Sequence, residues 1–505
     1  MIERFGFGPP RRSNSTDRAK TRVGSKSSSN PWRLGALAVL PLSLVVAADA
    51  DAAGLYFSDR GVRPLARGGA FVAGADDLGA IWYNPAGIAD AGTSILADFS
   101  WLHFTSSFTR QSLATTGAGA GSVTTFPTVN GSSPILPIPT IAASYAFGEK
   151  KEYTIAGGVY APMTAITSYP ETVPGPNGTL SPAPSRYSLV SLDGSALVVL
   201  GGWFAYKPVE QFQIGAGVQM LTGTFKSTVN FSANPADRII SAPEDSKYDA
   251  FSQLNVGPIF APSGNLGVTV TPVKQVRIGI TGQLPFHVNA PAKVNVRLPN
   301  AVEFDKASQD GNDAHVKFNL PAVFRIGVEA RPTDDLRVEL AYVREFWSNH
   351  SSIDIVPDNI KLLNVTGFPS PFAVNPISIP RNFVDSNSVR LGGEYRLHLG
   401  EYDLDLRAGV NYEKSAVPNP YLSVLTIDLD KITLALGGGI HIGKHWRLDA
   451  VYAHVFASDT VVTPQEAAVP RVSPVKGNPT ATEAVNGGSY SATADVLGIG
   501  LQYKF

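Results

Sequence analysis

Apolar and polar residues alternate in short segments along most of this chain. The alternation recurs from about residue 93 to the last residue, in segments 140–147, 153–160, 196–206, 213–221, 266–271, 277–282, 322–330, 336–344, 389–397, 403–412, 433–442 and 447–455. A period of two is typical of β-strands whose two faces meet different environments. The pattern therefore predicts an all-β chain with many strands.

The connections between these segments alternate in length. Tight polar turns join several of them, at 207–210, 272–274, 332–335 and 443–445, and such turns favour antiparallel neighbours. Longer segments rich in Ser, Thr, Asn, Gly and Pro lie between the hairpins, at 106–139, 165–185 and 348–381. Transmembrane barrels combine short periplasmic turns with long external loops, whereas a β-sandwich has no need of that asymmetry. We therefore predict a transmembrane antiparallel β-barrel.

The carboxyl-terminal segment has the pattern of a strand that faces lipid. One face of residues 496–505 carries Leu497, Ile499, Leu501, Tyr503 and Phe505. A final apolar strand that ends in aromatic residues at the membrane interface is what an outer-membrane barrel needs to close. We predict that Tyr503 and Phe505 form the carboxyl-terminal signature of the barrel, and that outer-membrane lipid and the barrel assembly machinery are partners.

Composition agrees with a barrel in lipid. Charged residues make up 16% of the chain, below the roughly 25% of soluble domains. Lipid-facing positions account for such a deficit, since every second strand residue meets acyl chains. The chain has no cysteine, which excludes disulfides and thiolate metal sites.

The amino-terminal region has the order of a secretory signal. Residues 1–33 contain eight Lys and Arg against two acids, a net charge of +6, and the whole chain is −1, so the rest is −7. An apolar run at 34–48 and small residues around position 51 follow, which is the order of a cleavable signal peptide. We assign 1–53 to a signal peptide and leader, cleaved near Ala52 or Ala53. The alternative, an uncleaved transmembrane helix, needs about 20 apolar residues, and this run is shorter and contains Pro41.

Residues 54–91 do not alternate. Asp76 and Asp77 suit a helix start and the Asn84-Pro85 pair suits a turn, while short helices would suit Ala70, Ala73, Leu78 and Ala80. We predict a small helical hatch over 54–91 that plugs the lumen of a barrel formed by 92–505.

Residues 66–87, ARGGAFVAGADDLGAIWYNPAG, resemble the hatch of the FadL/TodX family of outer-membrane transporters of long-chain fatty acids and aromatic hydrocarbons. The likeness continues through residues 157–162, 320–321, 326–328, 343–348, 406–409, 487–490 and Phe505. It implies a fourteen-stranded barrel and passive, diffusion-driven passage of a hydrophobic ligand. The residues that match the hatch motif are Arg67, Asp76, Asp77, Asn84, Pro85, Ala86 and Gly87.

The segment 153–160 is the candidate for a lateral opening. Gly157 and Gly158 weaken a strand, and Pro162 removes a hydrogen-bond donor where pairing would continue. From position alone, Pro162 could equally begin an external loop. The resemblance implies instead a kink after this third strand that opens the barrel wall to the bilayer, with Thr164 and Ala165 also at the opening.

The sequence contains little that indicates catalysis. The eight histidines are scattered, and neither a Gly-x-Ser-x-Gly elbow nor a zinc-binding helix occurs. His441 and His445 flank a turn at Gly443 and so lack the geometry of a helical zinc pair. We predict no enzyme activity, no cofactor or metal, and no nucleic-acid partner.

The resulting hypothesis is a monomeric transporter in the outer membrane of a Gram-negative cell. Its cargo would be hydrophobic small molecules such as long-chain fatty acids or hydrocarbons, which leave by lateral diffusion through the barrel wall. The alternatives are a general hydrophilic porin and an outer-membrane lipid-active enzyme.

Overall fold

The computed structural model describes residues 59–114, 121–162, 166–175, 178–238, 242–475 and 483–505. The predicted signal peptide and leader at 1–53 lie outside the described residues, as do the first residues of the hatch at 54–58. Thr164 and Ala165 also lie outside them.

Fourteen of the described strands form a closed barrel. In chain order they are β1 Ser94–Leu113, β2 Pro137–Phe147, β3 Tyr153–Tyr160, β4 Ala196–Val209, β5 Phe212–Ser232, β6 Asp249–Val273, β7 Val276–Gln283, β8 Ala322–Ala330, β9 Leu336–Phe346, β10 Ser386–Leu399, β11 Tyr402–Glu413, β12 Lys431–Ile442, β13 Trp446–Ala457 and β14 Gly488–Lys504. Each pairs antiparallel with its neighbours along the chain, and β14 returns to β1 in a register that runs from Ser94 opposite Lys504 to Arg110 opposite Gly488. The predicted fold class, a fourteen-stranded antiparallel barrel, is confirmed.

The barrel has one end with short turns and one with long connections. The short turns are 148–152, 210–211, 274–275, 331–335, 400–401 and 443–445. At the other end the ladder extends beyond the barrel: Phe286–Arg297 pairs with the outer half of β6 and is followed in series by Asp313–Leu320, Ser352–Pro357 and Ile377–Pro380. The remaining described strands are Val123–Thr125, Val129–Ser132, Thr172–Pro174, Leu180–Pro182, Ser308–Asp310, Lys361–Leu363, Phe372–Ala373 and Thr460–Val462.

The predicted loops 106–139 and 348–381 are wrong in extent. β1 continues to Leu113, and the second of these loops contains two strands of the outer extension. Gly, Pro and Asn are depleted in strands, yet partner strands supply hydrogen bonds to the backbones of these segments. Pairing of the outer extension therefore overrides the local preference.

The two faces of the wall differ in polarity. On β14, Leu497, Ile499 and Leu501 are 57%, 54% and 42% exposed on the outer face, while Gly498 and Gly500 face inward. At the short-turn edge the Tyr503 ring lies 4.5 Å from that of Trp446 and 4.7 Å from that of Phe505. This places an apolar band outside and an aromatic group at its edge, as a lipid-facing wall requires.

Residues 59–93 precede the barrel and contain the described α-helices, α1 Val62–Ala66, α2 Ala80–Tyr83 and α3 Ile88–Ala91, with a 3₁₀ turn at Pro85–Gly87. Short 3₁₀ turns elsewhere in the described chain are Pro235–Arg238, Ser246–Tyr248, Val302–Phe304, Trp347–Asn349 and Asn419–Tyr421. Of all the helices described, none is long and apolar enough to cross a bilayer.

The expected helical character of the hatch is only partly present. Ala80 lies in α2, but Ala70, Ala73 and Leu78 lie outside the helices. Gly68 and Gly69 adopt positive φ of 60° and 74°, a conformation that ends α1 before Ala70. Contacts with the barrel wall, described below, hold the remaining turns.

We expect deletion of Phe505 to impair barrel assembly. Its backbone N–H donates to the carbonyl of Thr93 at 3.0 Å and its ring packs on Tyr503, so the deletion weakens the closing edge between β14 and β1. The amount of heat-modifiable barrel in outer membranes measures the effect. Phe456→Ala, which removes an outward-facing ring from β13, is the control, and equal amounts of folded deletion variant and control would contradict the prediction.

Candidate functional site

Asn84 connects residues 59–91 to the barrel wall. Its side-chain oxygen accepts the N–H of Ala86 at 3.1 Å, which caps the turn at Pro85–Gly87. Its Nδ2 donates to the carbonyl of Val72 at 2.9 Å and to Oγ1 of Thr269 on β6 at 3.0 Å. This one buried amide therefore closes a local turn and binds it to the wall. Both its oxygen and its nitrogen have hydrogen-bond partners, as buried polar groups usually do.

Glu339 of β9 receives the backbone of the same segment. Its carboxylate accepts the N–H groups of Val72, Ala73 and Gly74 at 2.6, 2.9 and 2.8 Å. Arg67 donates from Nη2 to the same carboxylate at 3.4 Å and to Glu329 of β8 at 2.8 Å. These wall carboxylates hold an irregular stretch of chain that provides few hydrogen bonds of its own.

Asp76 and Asp77 pair with arginines on both sides. Arg63 of α1 reaches Asp76 at 2.6 Å and Asp77 at 3.0 Å. Arg337 of β9 lies 2.7 Å from Asp76, and Arg447 of β13 lies 2.7 Å from Asp77. The two acids therefore bind residues on well-separated wall strands, and Asp77 in addition accepts the N–H of Gly79, directly before α2, at 2.9 Å.

These ion pairs persist through the ordinary pH range. Burial alone would raise the pKa of Asp76, but Arg337 and Arg63 hold it well below its usual value. Burial opposes ionisation of Asp77 as well, and Arg447 with Arg63 lowers its pKa. A carboxyl with a depressed pKa stabilises the structure above its unfolded pKa of about 3.9 and loses that contribution only as the pH falls through the folded value.

Glycines of the wall permit close approach of the segment. A Cβ at Gly215 of β5 would overlap the Pro85 carbonyl, one at Gly279 of β7 the carbonyl of Val72, and one at Gly409 of β11 the backbone of Arg67. Only residues without a side chain fit at these inward positions. The wall is therefore shaped to the segment on several sides.

An apolar cavity of about 100 Å³ lies at the end of the barrel with long connections. The outer half of β5, the outer extension and the loop at 469–475 line it. Among the described residues, its polar lining is confined to Tyr187, Gln309 and four serines, and no lining side chain is charged. We name it the inner cavity; its size is of the order of engineered apolar cavities that bind benzene, about 150 Å³.

Among the described residues, the regular pairing of the wall stops at the end of β3. Tyr160 pairs with Thr140 of β2 and Val199 of β4, and one further bond joins the N–H of Ala161 to the carbonyl of Pro139 at 3.0 Å. Within the described residues, pairing resumes only at Ser168.

A second cavity of about 210 Å³, the lateral cavity, lies at this interruption. Its lining includes residues 136–139 before and within β2, Ala161 and Pro162 after β3, and residues 196–198 of β4. Ile135, next to the lining in sequence, is 65% exposed, and Leu136, which lines the cavity, is 47% exposed. Proline lacks an N–H, so prolines at this rim reduce the number of donors that would face lipid unpaired.

The structure brings together some of the residues singled out from sequence and separates others. Arg67, Asp76, Asp77 and residues 84–87 share the interface with the wall. Gly157 and Gly158 are regularly paired on both sides, so β3 does not weaken at the glycines, and Pro162 lines the lateral cavity.

The sequence interpretation missed the wall partners of the hatch: Glu329, Arg337, Glu339 and Arg447. The sequence feature that could have identified them is a charged residue at an inward position of a strand whose alternate residues are apolar and face lipid. Nε2 of His441 donates to the carboxylate of Asp405 at 2.8 Å, and Nδ1 of His445 donates to the carbonyl of Lys504 at 2.6 Å. Among the described residues no group of His, Cys, Asp and Glu is arranged to hold a metal ion.

Comparison with known proteins identifies the class. Residues 43–505 match the family described as outer membrane protein transport protein (OMPP1/FadL/TodX), and the chain belongs to that family. The protein is thus an outer-membrane β-barrel of a transport family, as the hatch resemblance implied.

Individual relatives are distant. The chain is 28% identical over 163 residues to a protein of Neisseria meningitidis assigned by name to the outer membrane, which covers 32% of this chain and 31% of that protein. It therefore spans about a third of the length of the curated relative it matches.

Solved structures share the fold over most of the chain. A Pseudomonas aeruginosa FadL homologue has a TM-score of 0.66 at 16% identity, covering 90% of this chain and 100% of that one. The Ralstonia pickettii toluene transporter TbuX has 0.54 at 18%, covering 89% and 99%. The Pseudomonas putida toluene transporter TodX has 0.57 at 12%, covering 90% and 99%.

We expect Asn84→Ala together with Pro85→Ala to loosen residues 59–91 without unfolding the barrel. The substitution leaves buried groups unpaired, each at about 1–3 kcal/mol, and removes the fixed φ of Pro85. Limited proteolysis should cleave this segment faster while heat-modifiability of the barrel is unchanged. Asn289→Ala, an exposed asparagine of the outer extension, is the control, and protease resistance equal to that control would refute the prediction.

Proposed function

We propose that this protein carries hydrophobic small molecules, such as long-chain fatty acids or hydrocarbons, passively across the outer membrane and releases them sideways through the barrel wall. The ligand enters the inner cavity from the external end. Residues 54–91 act as a hatch that closes the lumen below it. The observation that carries the proposal is the uncharged lining of the inner cavity.

The inner cavity, at the end of the barrel with long connections, has a lining suited to an apolar ligand, whereas the lumen toward the short turns does not. The inner cavity offers Val, Ile, Leu and Phe side chains, from which an apolar molecule gains about 25 cal/mol per Å² removed from water. Toward the short turns, the lumen contains the paired charges of the hatch and of β8–β13. An apolar ligand would have to displace those ion pairs to continue straight through.

The lateral cavity provides another route. It lies in the wall where the ladder stops after Tyr160, and no charged side chain lines it among the described residues. A ligand that leaves there reaches acyl chains without crossing water, which avoids the costly step for an apolar molecule. A hydrophilic porin has no use for such a lining, so swelling of proteoliposomes in small sugars would favour the porin alternative.

Mass spectrometry of molecules that co-purify with the detergent-extracted protein tests the ligand class. We expect bound apolar compounds, and their loss from the Ile355→Asp variant, which puts a carboxylate in the inner cavity. Thr460→Asp in an external strand is the control, because it adds the same carboxylate away from the inner cavity and away from the lipid-facing wall, where a charge would be destabilising. Recovery of no apolar compound from the unaltered protein would count against the proposal.

We expect Ala161→Arg to abolish uptake while ligand still binds in the inner cavity. The substitution places a bulky, charged side chain in the lateral cavity, where it fills the passage and where entering apolar cargo would have to strip water from the charge. Uptake of labelled oleate and toluene by intact cells, alongside the co-purification assay, separates transport from binding.

The matched control is Ala236→Arg, the same substitution at an exposed external position. Thr164→Arg and Ala165→Arg should act like Ala161→Arg if these residues lie at the opening. Uptake at the unaltered rate in a folded Ala161→Arg protein would show that cargo does not leave here.

A further inference from the structure

Phe225 of β5 lines both the inner cavity and the lateral cavity, and among the described residues it is the one that does so. Its half-buried side chain packs against the apolar cluster that includes Trp203 and Leu254 and against the one that includes Tyr169 and Leu192. We propose that the Phe225 ring is the gate between the two cavities and sets the size of molecule that passes from lumen to wall. The inference rests on the proposed function for its physiological meaning.

The backbone at this position is held by the strand ladder, whereas the ring is held only by apolar packing. Phe225 pairs with Val256 of β6, directly before a register shift between Val256 and Ile259. Gly223 and Gly257 at the shift have positive φ of 132° and 135°, and a Cβ at Gly223 would overlap the carbonyl of Ala196 in the lateral cavity lining. Bulges of this kind direct side chains. Rotation of the ring would thus join the cavities without breaking a ladder bond.

The linings on both sides restrict what can pass. No charged side chain faces either cavity among the described residues, so a charged group at the gate would be desolvated without a partner. The molecule that passes Phe225 is therefore uncharged: a hydrocarbon, or a fatty acid with its carboxyl protonated.

The absence of native cysteine allows a direct test. A single cysteine is placed in the inner cavity by Ile355→Cys, and the protein in phosphatidylcholine vesicles is exposed to N-phenylmaleimide dissolved in the bilayer. Glutathione in the aqueous phase consumes reagent that leaves the lipid. Ala196→Cys, at the lateral cavity, reports that reagent reaches the wall.

In the Ile355→Cys background, we expect Phe225→Ala to label about tenfold faster than the protein with Phe225 intact, and Phe225→Trp to label more slowly. Phe231→Ala is the matched control, since this phenylalanine lies on the same strand and lines only the inner cavity. The gate is refuted if Phe225→Ala gives no acceleration, or if Phe231→Ala accelerates labelling equally.

Measurements of uptake then distinguish a failure of the gate hypothesis from a failure of the proposed function. Toluene uptake by intact cells should rise in Phe225→Ala and fall in Phe225→Trp. Labelling that responds to Phe225 while uptake does not would establish the gate and overturn lateral exit as the transport route. Oleate uptake that falls as the pH rises from 5 to 8, with toluene uptake constant, would support passage of the uncharged form.

Discussion

In lipid every backbone hydrogen-bonding group must find a partner inside the protein, and the architecture of this chain follows from that constraint. The ladder from β1 through β14 and back to β1 satisfies it by closure. Apolar side chains can then cover the outer face, because no backbone edge competes for water there. A closed wall has one further consequence. A passage through it requires a place where strand pairing can stop without leaving backbone N–H groups unpaired in lipid.

The interruption after Tyr160 is such a place. Regular pairing continues up to that residue, and prolines at 134, 137, 139 and 162 supply positions that have no N–H to satisfy. The lateral cavity lies at the same point, and Phe225 lines both it and the inner cavity. The closed wall and the proline-rich rim therefore have the same cause. Lipid offers no hydrogen-bond partner to the backbone, so the ladder must be complete except where prolines lack an N–H.

The lumen is divided by polarity. Toward the short turns, Arg63, Asp76 and Asp77 bind wall residues in a buried network, and Glu339 binds the backbone beside them. Buried ion pairs contribute little net stability over apolar packing, but losing one partner leaves an uncompensated charge. Such a network favours one seating of residues 59–91 over others. Toward the external end the inner cavity has an uncharged, mainly apolar lining, although buried ion pairs such as Arg110–Glu244 and Lys431–Asp428 lie at that end as well.

The sequence by itself determined the strand pattern, the short-turn asymmetry and the apolar face of β14, because period-two alternation and turn residues are local properties of the chain. It also predicted that residues 54–91 are not strand, and the described part, residues 59–91, contains none; the predicted turn at Asn84-Pro85 is present. Only the tertiary structure decided what those residues bind. Glu339 and Arg447 lie far from the hatch in sequence and meet it only through barrel closure, and Ala73 and Leu78 are held by wall contacts instead of by helix. Phe225 lies beyond the predicted strand segment 213–221, and its contact with two cavities depends on β2, β4 and β6 meeting around it, which no local pattern encodes.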